Sequence, residues 1–389
     1  MPNANDTEAL IQRLRGEIGE LAPADALRRQ AAGALLLDVR EESERAAGMP
    51  VGAQGLSRGF LELQIDELEP DRGREILTLC QAGIRSLLAA RTLRQLGYTN
   101  VRSVAGGYAR WQHEGLPIAH GGALDADAAE RYARQINLPG VGVAGQRRLA
   151  AARIALVGAG GLGAPAALYL AAAGVGEITL IDDDRVERSN LQRQIIHADA
   201  RVGMAKTESA RIALAALNPR VRVELRDTRL RAANVEQLVA GHDLIIDGAD
   251  NFPTRYLLTA ASIRLKLPLV YGALERFSGQ VSVFDPRDPH SPCYRCLYPQ
   301  PPDADAAPNC SAAGVLGVLP GLVGLLQATE ALKLLLGLGT PLVGQLLLIN
   351  ALDMDFRKLR LPRNPDCPGC GANAKWSGYT DLEGVCAGH

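Results

Sequence analysis

The chain has 389 residues, 47% of them hydrophobic, with 42 basic against 43 acidic side chains and a net charge of −1. That length predicts more than one domain with a sizeable core, and the balanced charge, without basic runs or interleaved aromatics, excludes nucleic acid as an expected partner. Seven cysteines spread unevenly over such a chain are too few for a disulfide scaffold and point to metal or sulfur chemistry. The first twenty residues contain acidic side chains and no apolar segment, which argues against a secretory or transit leader and for a cytoplasmic protein.

Residues 1–118 read as a unit of their own. Apolar runs at 34–39 and 76–79 predict two buried strands. The second runs into Cys80-Gln81-Ala82-Gly83-Ile84-Arg85-Ser86 and then a helical pattern over 87–96. A cysteine between a strand end and a helix start meets backbone N–H groups that favour a thiolate or persulfide anion. Arg85 would add positive charge. The bland reading leaves Cys80 a small apolar residue at a strand end, and Asp38 and Arg40 a buried polar pair that fixes loops. LLLDVRE with Asp38, Arg40 and Glu41, the six-residue loop 80–85, and VAGGYARWQHEGLPI with Gly106, Gly107 and Trp111 together resemble a rhodanese domain. The sequence departs from that family at 48–53, which reads GMPVGA in place of Gly-His-Ile-Pro-Gly-Ala. The resemblance implies sulfur transfer through Cys80, with thiosulfate or a cysteine desulfurase as donor.

Residues 119–127 are small, polar and glycine-containing, as expected of a flexible interdomain linker that raises the effective concentration of one site at another. Residues 128–136 read as helical and carry Arg134. A strand at 154–157 then breaks into Gly158-Ala159-Gly160-Gly161-Leu162-Gly163 before an alanine-rich helix, and a second strand at 177–181 ends in Asp182-Asp183-Asp184. Such a βαβ unit places glycines and a helix N-terminus against phosphate, while Asp182 accepts from ribose hydroxyls. NAD is the default ligand of this fingerprint.

The downstream sequence argues for ATP instead. After Asp184 come Ser189-Asn190-Leu191-Gln192-Arg193-Gln194, Gly203-Met204-Ala205-Lys206, a helix at 207–217, and a strand at 244–246 that ends near Asp250-Asn251. The carboxyl ends of these strands should share one crevice, with Arg193 and Lys206 flanking phosphates and Asp250 holding magnesium. Hydride transfer needs none of these charges. Asn190 and Gln194 either contact nucleotide or order a loop. RYARQI, GAGGLGAP, LIDDDRVERSNLQRQ, VGMAKTESA, DGADNFPTRY, SPCYRC, CSAAGVLG, LQATEALK and NPDCPGC occur in the order of the ubiquitin-activating-like (ThiF/MoeB/HesA) adenylyltransferases, which this region resembles. The likeness is nearest to those acting on molybdopterin synthase. It implies an α/β Rossmann-like, doubly wound adenylyltransferase domain over 128–375, preceded by the smaller α/β rhodanese domain, with a tail over 376–389. It further implies Mg-ATP bound by Gly161, Asp182, Ser189, Asn190, Leu191, Gln192, Arg193, Lys206, Asp250 and Asn251, with catalytic Arg193 and Asp250. Arg134 would reach a neighbouring subunit's ATP site, which makes the protein a homodimer. The substrate would be the terminal glycine of a ubiquitin-like sulfur carrier ending in Gly-Gly, most simply the small subunit of molybdopterin synthase; a thiamin-, cysteine- or tRNA-thiolation carrier would use the same residues. Rivals of another class are an NAD-dependent oxidoreductase and a noncatalytic scaffold.

Cys293-x-x-Cys296 and Cys367-x-x-Cys370 match a closed tetrahedral zinc site, each pair giving two thiolates from one turn. By the resemblance, Cys310 lies where family members carry a loop cysteine able to link to the carrier; a spectator thiol is the alternative. Cys386 reads as a free thiol near the end of the chain. Residues 312–329 lack charge, but Pro320, five glycines, Glu330 and Lys333 within 312–338 fit a buried helix better than a membrane span.

Overall fold

The structure is a computed structural model that describes residues 4–45, 48–119, 124–301 and 314–382. The chain divides into two compact units, residues 1–133 with 142–144, and residues 134–141 with 145–389. The division follows the helix Ala126–Arg131, which Asp125 caps by accepting from Ala128 N at 2.9 Å. Residues 120–123 of the expected linker lie outside the described residues.

The first unit is built on parallel strands β1 (Glu20–Leu21), β2 (Leu35–Asp38), β3 (Gln54–Gly55), β4 (Ile76–Leu79) and β5 (Val101–Val104), in the order β1-β5-β4-β2-β3. Parallel strands are covered on both faces, so they read as continuous apolar runs. The alternation shows in the packing. Leu35, Leu37 and Ile76 join the cluster under helices α1 (Ala4–Ile18) and α4 (Ile84–Gln95). Leu36, Leu77 and Leu79 join the cluster under α2 (Pro23–Ala31) and α5 (Gly107–His113), with Trp111 fully buried. Helix α3 (Leu61–Leu68) adds Leu61 and Ile65 to the first cluster. Cys80 thus follows the central strand β4 directly.

The described residues of the second unit form an eight-stranded sheet. Its strands are β6 (Arg153–Val157), β7 (Glu177–Ile181), β8 (Arg222–Arg226), β9 (Leu244–Asp247), β10 (Leu269–Glu275), β11 (Ser278–Phe284), β12 (Gln345–Asn350) and β13 (Asp355–Arg360), ordered β8-β7-β6-β9-β10-β11-β12-β13. The pairs from β8 to β10 are parallel and those from β10 to β13 antiparallel. Strand order reverses between β6 and β9, so the crevice at their carboxyl ends is the topological switch point where such sheets bind ligands. Ile154, Leu156, Ile178 and Leu180 pack under α6 (Gly163–Ala172), α7 (Lys206–Leu217) and α9 (Val318–Leu336), while Ala155, Val157 and Ile181 face the cluster of α8 (Phe252–Leu265).

The apolar helix α9 packs within this unit, against α6, β10 and β11. A Cβ on Gly324 would lie 2.4 Å from Leu162 O, so only glycine permits this approach. Glu330 accepts from Lys333 Nζ at 2.6 Å and from Leu342 N at 2.8 Å, which explains two charges on an otherwise apolar helix. Residues 376–382, set apart as tail in the sequence, also pack on this unit. Tyr379 and Leu382 contact the α8 cluster, and Asp381 accepts from Ala232 N at 2.8 Å.

Candidate active site

The glycine turn after β6 is fixed by contacts that exclude side chains. Gly158 has φ +90°, and a Cβ there would sit 2.6 Å from Gly248 O, while one on Gly163 would sit 1.8 Å from Gly158 O. These glycines let the turn after β6 touch the loop after β9, whose Asp247 pairs in register with Val157. Two strand ends become one edge.

Asp182, at the end of β7, holds the turn from the other side. Its Oδ2 accepts from Ala159 N at 2.7 Å and its Oδ1 from Asp184 N at 2.8 Å. Burial pushes this carboxyl up to about 6, opposed by the charge of Lys206. Each oxygen keeps a lone pair for a further donor. Lys206, buried at the start of α7, donates to Asp184 Oδ2 at 2.7 Å. His197 bridges Ala159 O at 3.0 Å and Ser209 Oγ at 2.9 Å. A carbonyl only accepts, so Nε2 carries the proton and Nδ1 accepts from the hydroxyl. Burial pulls His197 down to about 4, which keeps it neutral near pH 7.

The segment after Asp184 closes over the turn. Asn190 is buried and its Oδ1 accepts from Glu187 N at 3.1 Å within a reciprocal capping box, so this amide orders the loop. Arg193 donates to Ser189 O at 3.2 Å, and its Cγ lies 3.7 Å from where a Cβ on Gly161 would stand. Gln192 lies against Gly317 at the start of α9, where a Cβ would meet its Oε1 at 2.4 Å; Leu191 is half-buried beside it. Gln194 is buried with its Nε2 3.5 Å from a Cβ built on Gly160, and its Oε1 has no hydrogen-bond partner among the described residues. An acceptor without a partner beside a glycine cradle suits a polar ligand that brings its own donor. The residues present fit a nucleotide.

Asp250 and Asn251 stand at the β9–α8 junction. Asn251 Oδ1 caps α8 by accepting from Thr254 N at 3.0 Å, and its Nδ2 donates to Asp250 Oδ1 at 3.3 Å. Asp250 is exposed, a carboxylate of the kind magnesium shares with phosphate oxygens. Behind it lies a pair drawn from the two ends of DGADNFPTRY. Asp247 is 1% exposed, and Arg255 Nε lies 3.5 Å from its Oδ2. Asp247 Oδ1 accepts from Ala249 N at 3.0 Å, and Arg255 Nη2 donates to Ala249 O at 2.9 Å. The residue before Asp250 is therefore gripped by both of its backbone groups. Arg134 is exposed on the short helix Ala133–Ile136.

The four paired cysteines converge. Cys293 Sγ and Cys367 Sγ are 3.6 Å apart, Cys296 Sγ and Cys370 Sγ 3.5 Å, and all four lie within 4.8 Å of one another as free thiols. Zinc–sulfur bonds of about 2.3 Å in a tetrahedron place sulfurs about 3.8 Å apart, so the set fits zinc. Asn364 N and Gly369 N point at Cys296 Sγ and Cys367 Sγ, each at 3.4 Å, in the way outer hydrogen bonds orient thiolate ligands.

In the first unit, Cys80 is 1% exposed. Its Sγ accepts from Gly83 N at 3.2 Å and contacts Ser86 Oγ at 3.4 Å. Gly107 has φ +59°, and a Cβ there would lie 2.1 Å from Cys80 O, so glycine lets the start of α5 meet the loop. Tyr108 N and Ala109 N donate to Cys80 O and Gln81 O at 2.7 and 3.0 Å. Asp38 and Arg40 form the buried pair, with Arg40 Nη2 donating to Asp38 Oδ2 at 2.6 Å, Arg40 Cζ 3.6 Å from the Tyr108 ring centre and Nη1 donating to Gln81 Oε1 at 3.4 Å. Arg85 brings its charge to the loop in a pair, since Glu44 accepts from its terminal nitrogens at 2.7 and 2.6 Å while the guanidinium still interacts with Cys80. That bond holds the Glu44 carboxyl down to about 2. Cys310 and Cys386 lie outside the described residues.

Residues 132–369 match the ThiF family and residues 22–114 the Rhodanese-like domain. The chain belongs to the ThiF family. It is 52% identical over 249 residues to the SAMP-activating enzyme E1 of Haloferax volcanii, a match covering 64% of this chain and 91% of that protein. It is 50% identical over 260 residues to the sulfur carrier protein adenylyltransferase of Thermus thermophilus, covering 66% and 96%. A probable adenylyltransferase/sulfurtransferase MoeZ of Mycobacterium tuberculosis is 47% identical over 248 residues, 63% of each chain. In this ThiF-family chain, Asp184, His197, Asp247 and Arg255 join the residues named from sequence. Asp184, Asp247 and Arg255 sat inside quoted motifs. Nothing in their spacing revealed which partner each would find.

Proposed function

We propose that the second unit adenylates the C-terminal glycine of a ubiquitin-like sulfur carrier and that the first unit supplies sulfur from a persulfide on Cys80. The observation that carries the reading is the gathering of Asp182, Lys206, Arg193 and the Asp250 loop around one glycine turn at the switch point of the sheet. The carrier's carboxylate is ionised at neutral pH and attacks the α-phosphorus of ATP without a general base, releasing pyrophosphate. Arg193 and Lys206 align and neutralise the anions, Asp182 accepts from the ribose, and Gln194 Oε1 takes a ligand donor. Magnesium, held by Asp250, would supply charge neutralisation at the phosphates. Arg134 would complete the ATP site of a second subunit in a homodimer. Zinc on the four cysteines is structural, since four sulfurs leave no open position.

The Cys80 persulfide then attacks the activated carbonyl and AMP leaves, giving an acyl disulfide. Attack of a second thiolate on Cys80 Sγ frees the thiocarboxylate and leaves a disulfide that a cellular thiol reduces. Cys310 is the proposed second thiol. The names of the Thermus and Mycobacterium relatives support both halves of the reaction. The molybdopterin synthase small subunit is the first carrier to test, followed by thiamin-, cysteine- and tRNA-thiolation carriers. ATP–pyrophosphate exchange with each carrier should appear for one of them and drop at least about 100-fold in Asp250→Ala, on the scale of losing a charge-stabilising group. Undiminished exchange in that variant would sink the assignment.

A further inference from the structure

We propose that His197 is a positioning residue for the nucleotide, closing a hydrogen-bonded ring that holds the glycine turn and Lys206 at one fixed spacing. The inference rests on the adenylation reading above and names what keeps its phosphate-binding parts in place. Ala159 is the buried residue of a turn whose neighbours Gly158 and Gly160 are partly exposed. Both of its backbone groups are taken. Its N–H donates to Asp182 Oδ2 at 2.7 Å, and its carbonyl accepts from His197 Nε2 at 3.0 Å.

From each of these partners a bonded path leads to α7. Asp182 Oδ1 accepts from Asp184 N at 2.8 Å, while Asp184 O and Oδ2 accept from Lys206 N and Nζ at 2.9 and 2.7 Å. On the other side His197 Nδ1 accepts from Ser209 Oγ at 2.9 Å, and Ser209 stands one helical turn beyond Lys206. The two paths meet there. Arg201 braces the junction, with Nη1 donating to Ser209 O and Nη2 to Ile196 O at 3.1 Å, so the segment that carries His197 is tied to the same turn of α7.

The ring dictates where a donor points. The Ala159–Gly160 peptide is trans, so with its oxygen on the imidazole its N–H is aimed the opposite way. Gly160 N meets no acceptor among the described residues, which leaves it for an anion ahead of α6. Ser209, by donating to Nδ1, keeps the imidazole proton on Nε2; the other tautomer would set a lone pair against the Ala159 carbonyl and free the peptide to turn. A free peptide must be reordered when the phosphates bind, which weakens ground state and transition state alike.

The test measures carrier-dependent ATP–pyrophosphate exchange on the full chain, together with the Kd for ATP in the absence of carrier. His197→Asn can reach Ser209 but not Ala159 O, so its KM for ATP should rise on the order of tenfold while kcat changes by less than about twofold. His197→Gln can return an N–H to the Ala159 carbonyl and should bring that KM back to within about threefold of wild type. A histidine that only supports the fold would lower the folded fraction, and with it the apparent kcat, without moving the KM. An unchanged KM in folded His197→Asn overturns the inference, as does a Gln variant no better than Asn. Where His197→Asn gives no folded protein, Ser209→Ala frees Nδ1 and must itself raise the ATP KM for the inference to stand. The Kd should follow the same order as the KM. A wild type that binds ATP but exchanges no pyrophosphate with any carrier removes the adenylation reading, while the Kd series still decides the ring.

Discussion

Replacing Asp247 with Asn should destabilise the second unit by about 3–5 kcal/mol, the usual loss when one partner of a buried ion pair is removed. Asp247 is 1% exposed and Arg255 9%, and their Nε–Oδ2 separation is 3.5 Å. Burial lifts the Asp247 carboxyl from its usual 3.8 to about 6 even against the pull of Arg255. A shift of about two units corresponds to roughly 3 kcal/mol against the ionised form at neutral pH. The pair is therefore no net prop, but the guanidinium cannot shed its proton and is stranded once the carboxylate goes. Asparagine still accepts from Ala249 N, so the loss isolates charge. Adding Arg255→Met should restore most of the stability while raising the KM for ATP, because the bond to Ala249 O beside Asp250 is gone. Amide exchange in β9 and β10 reads the first effect and pyrophosphate exchange the second. The sign with pH is also fixed. A carboxyl whose folded value lies above its unfolded one stabilises the fold at low pH, and that contribution disappears as pH rises from about 4 to about 6. A single-variant loss under about 1 kcal/mol, or a double variant no more stable than the single, would refute the reasoning.

His197 carries the opposite slope. Its folded value of about 4 lies below the usual 6.5, so its contribution is complete above pH 6.5 and is lost as pH falls toward 4, roughly 3 kcal/mol at full extent. His197→Gln should flatten the stability profile of the second unit over that window, and an unchanged profile would contradict the neutral assignment. Cys367→Ser should lower bound zinc and release the 364–372 segment to fast amide exchange, since each thiolate is one of four. Full metal content in that variant would count against the four-sulfur site.

Much of this architecture was legible because its signals are local. A glycine turn between an apolar run and an alanine-rich helix identifies itself, and so does a cysteine pair two residues apart met by another pair some seventy residues on. Helix α9 packs against α6, β10 and β11, in line with the buried helix that Pro320, the five glycines, Glu330 and Lys333 suggested. The charge pairing was not legible, because it is set by the fold. Glu44 lies 41 residues from Arg85, and Asp184 lies 22 from Lys206. No periodicity links such positions, and a sequence rich in both signs offers many equally plausible partners. The Glu44 partner of Arg85 is one that the loop 80–85 does not announce. Asn190, open in the sequence between ligand and loop, has its Oδ1 on Glu187 N, a local contact that spacing alone does not reveal.

Both centres hold a cation against a carboxylate, yet the chemistry asks different things of the two pairs. Lys206 is buried while its partner Asp184 is exposed, so the carboxylate can turn into solvent when a polyphosphate arrives with several negative charges to offer the ammonium. The exchange of partners favours ligand, and the carboxylate's repulsion of phosphate weakens as it leaves. Arg85 and Glu44 are about equally exposed and joined by two parallel bonds, a geometry that a single sulfur anion cannot match. The first ion pair can thus exchange its carboxylate for an anionic ligand, while the second keeps the arginine beside the loop bound in place.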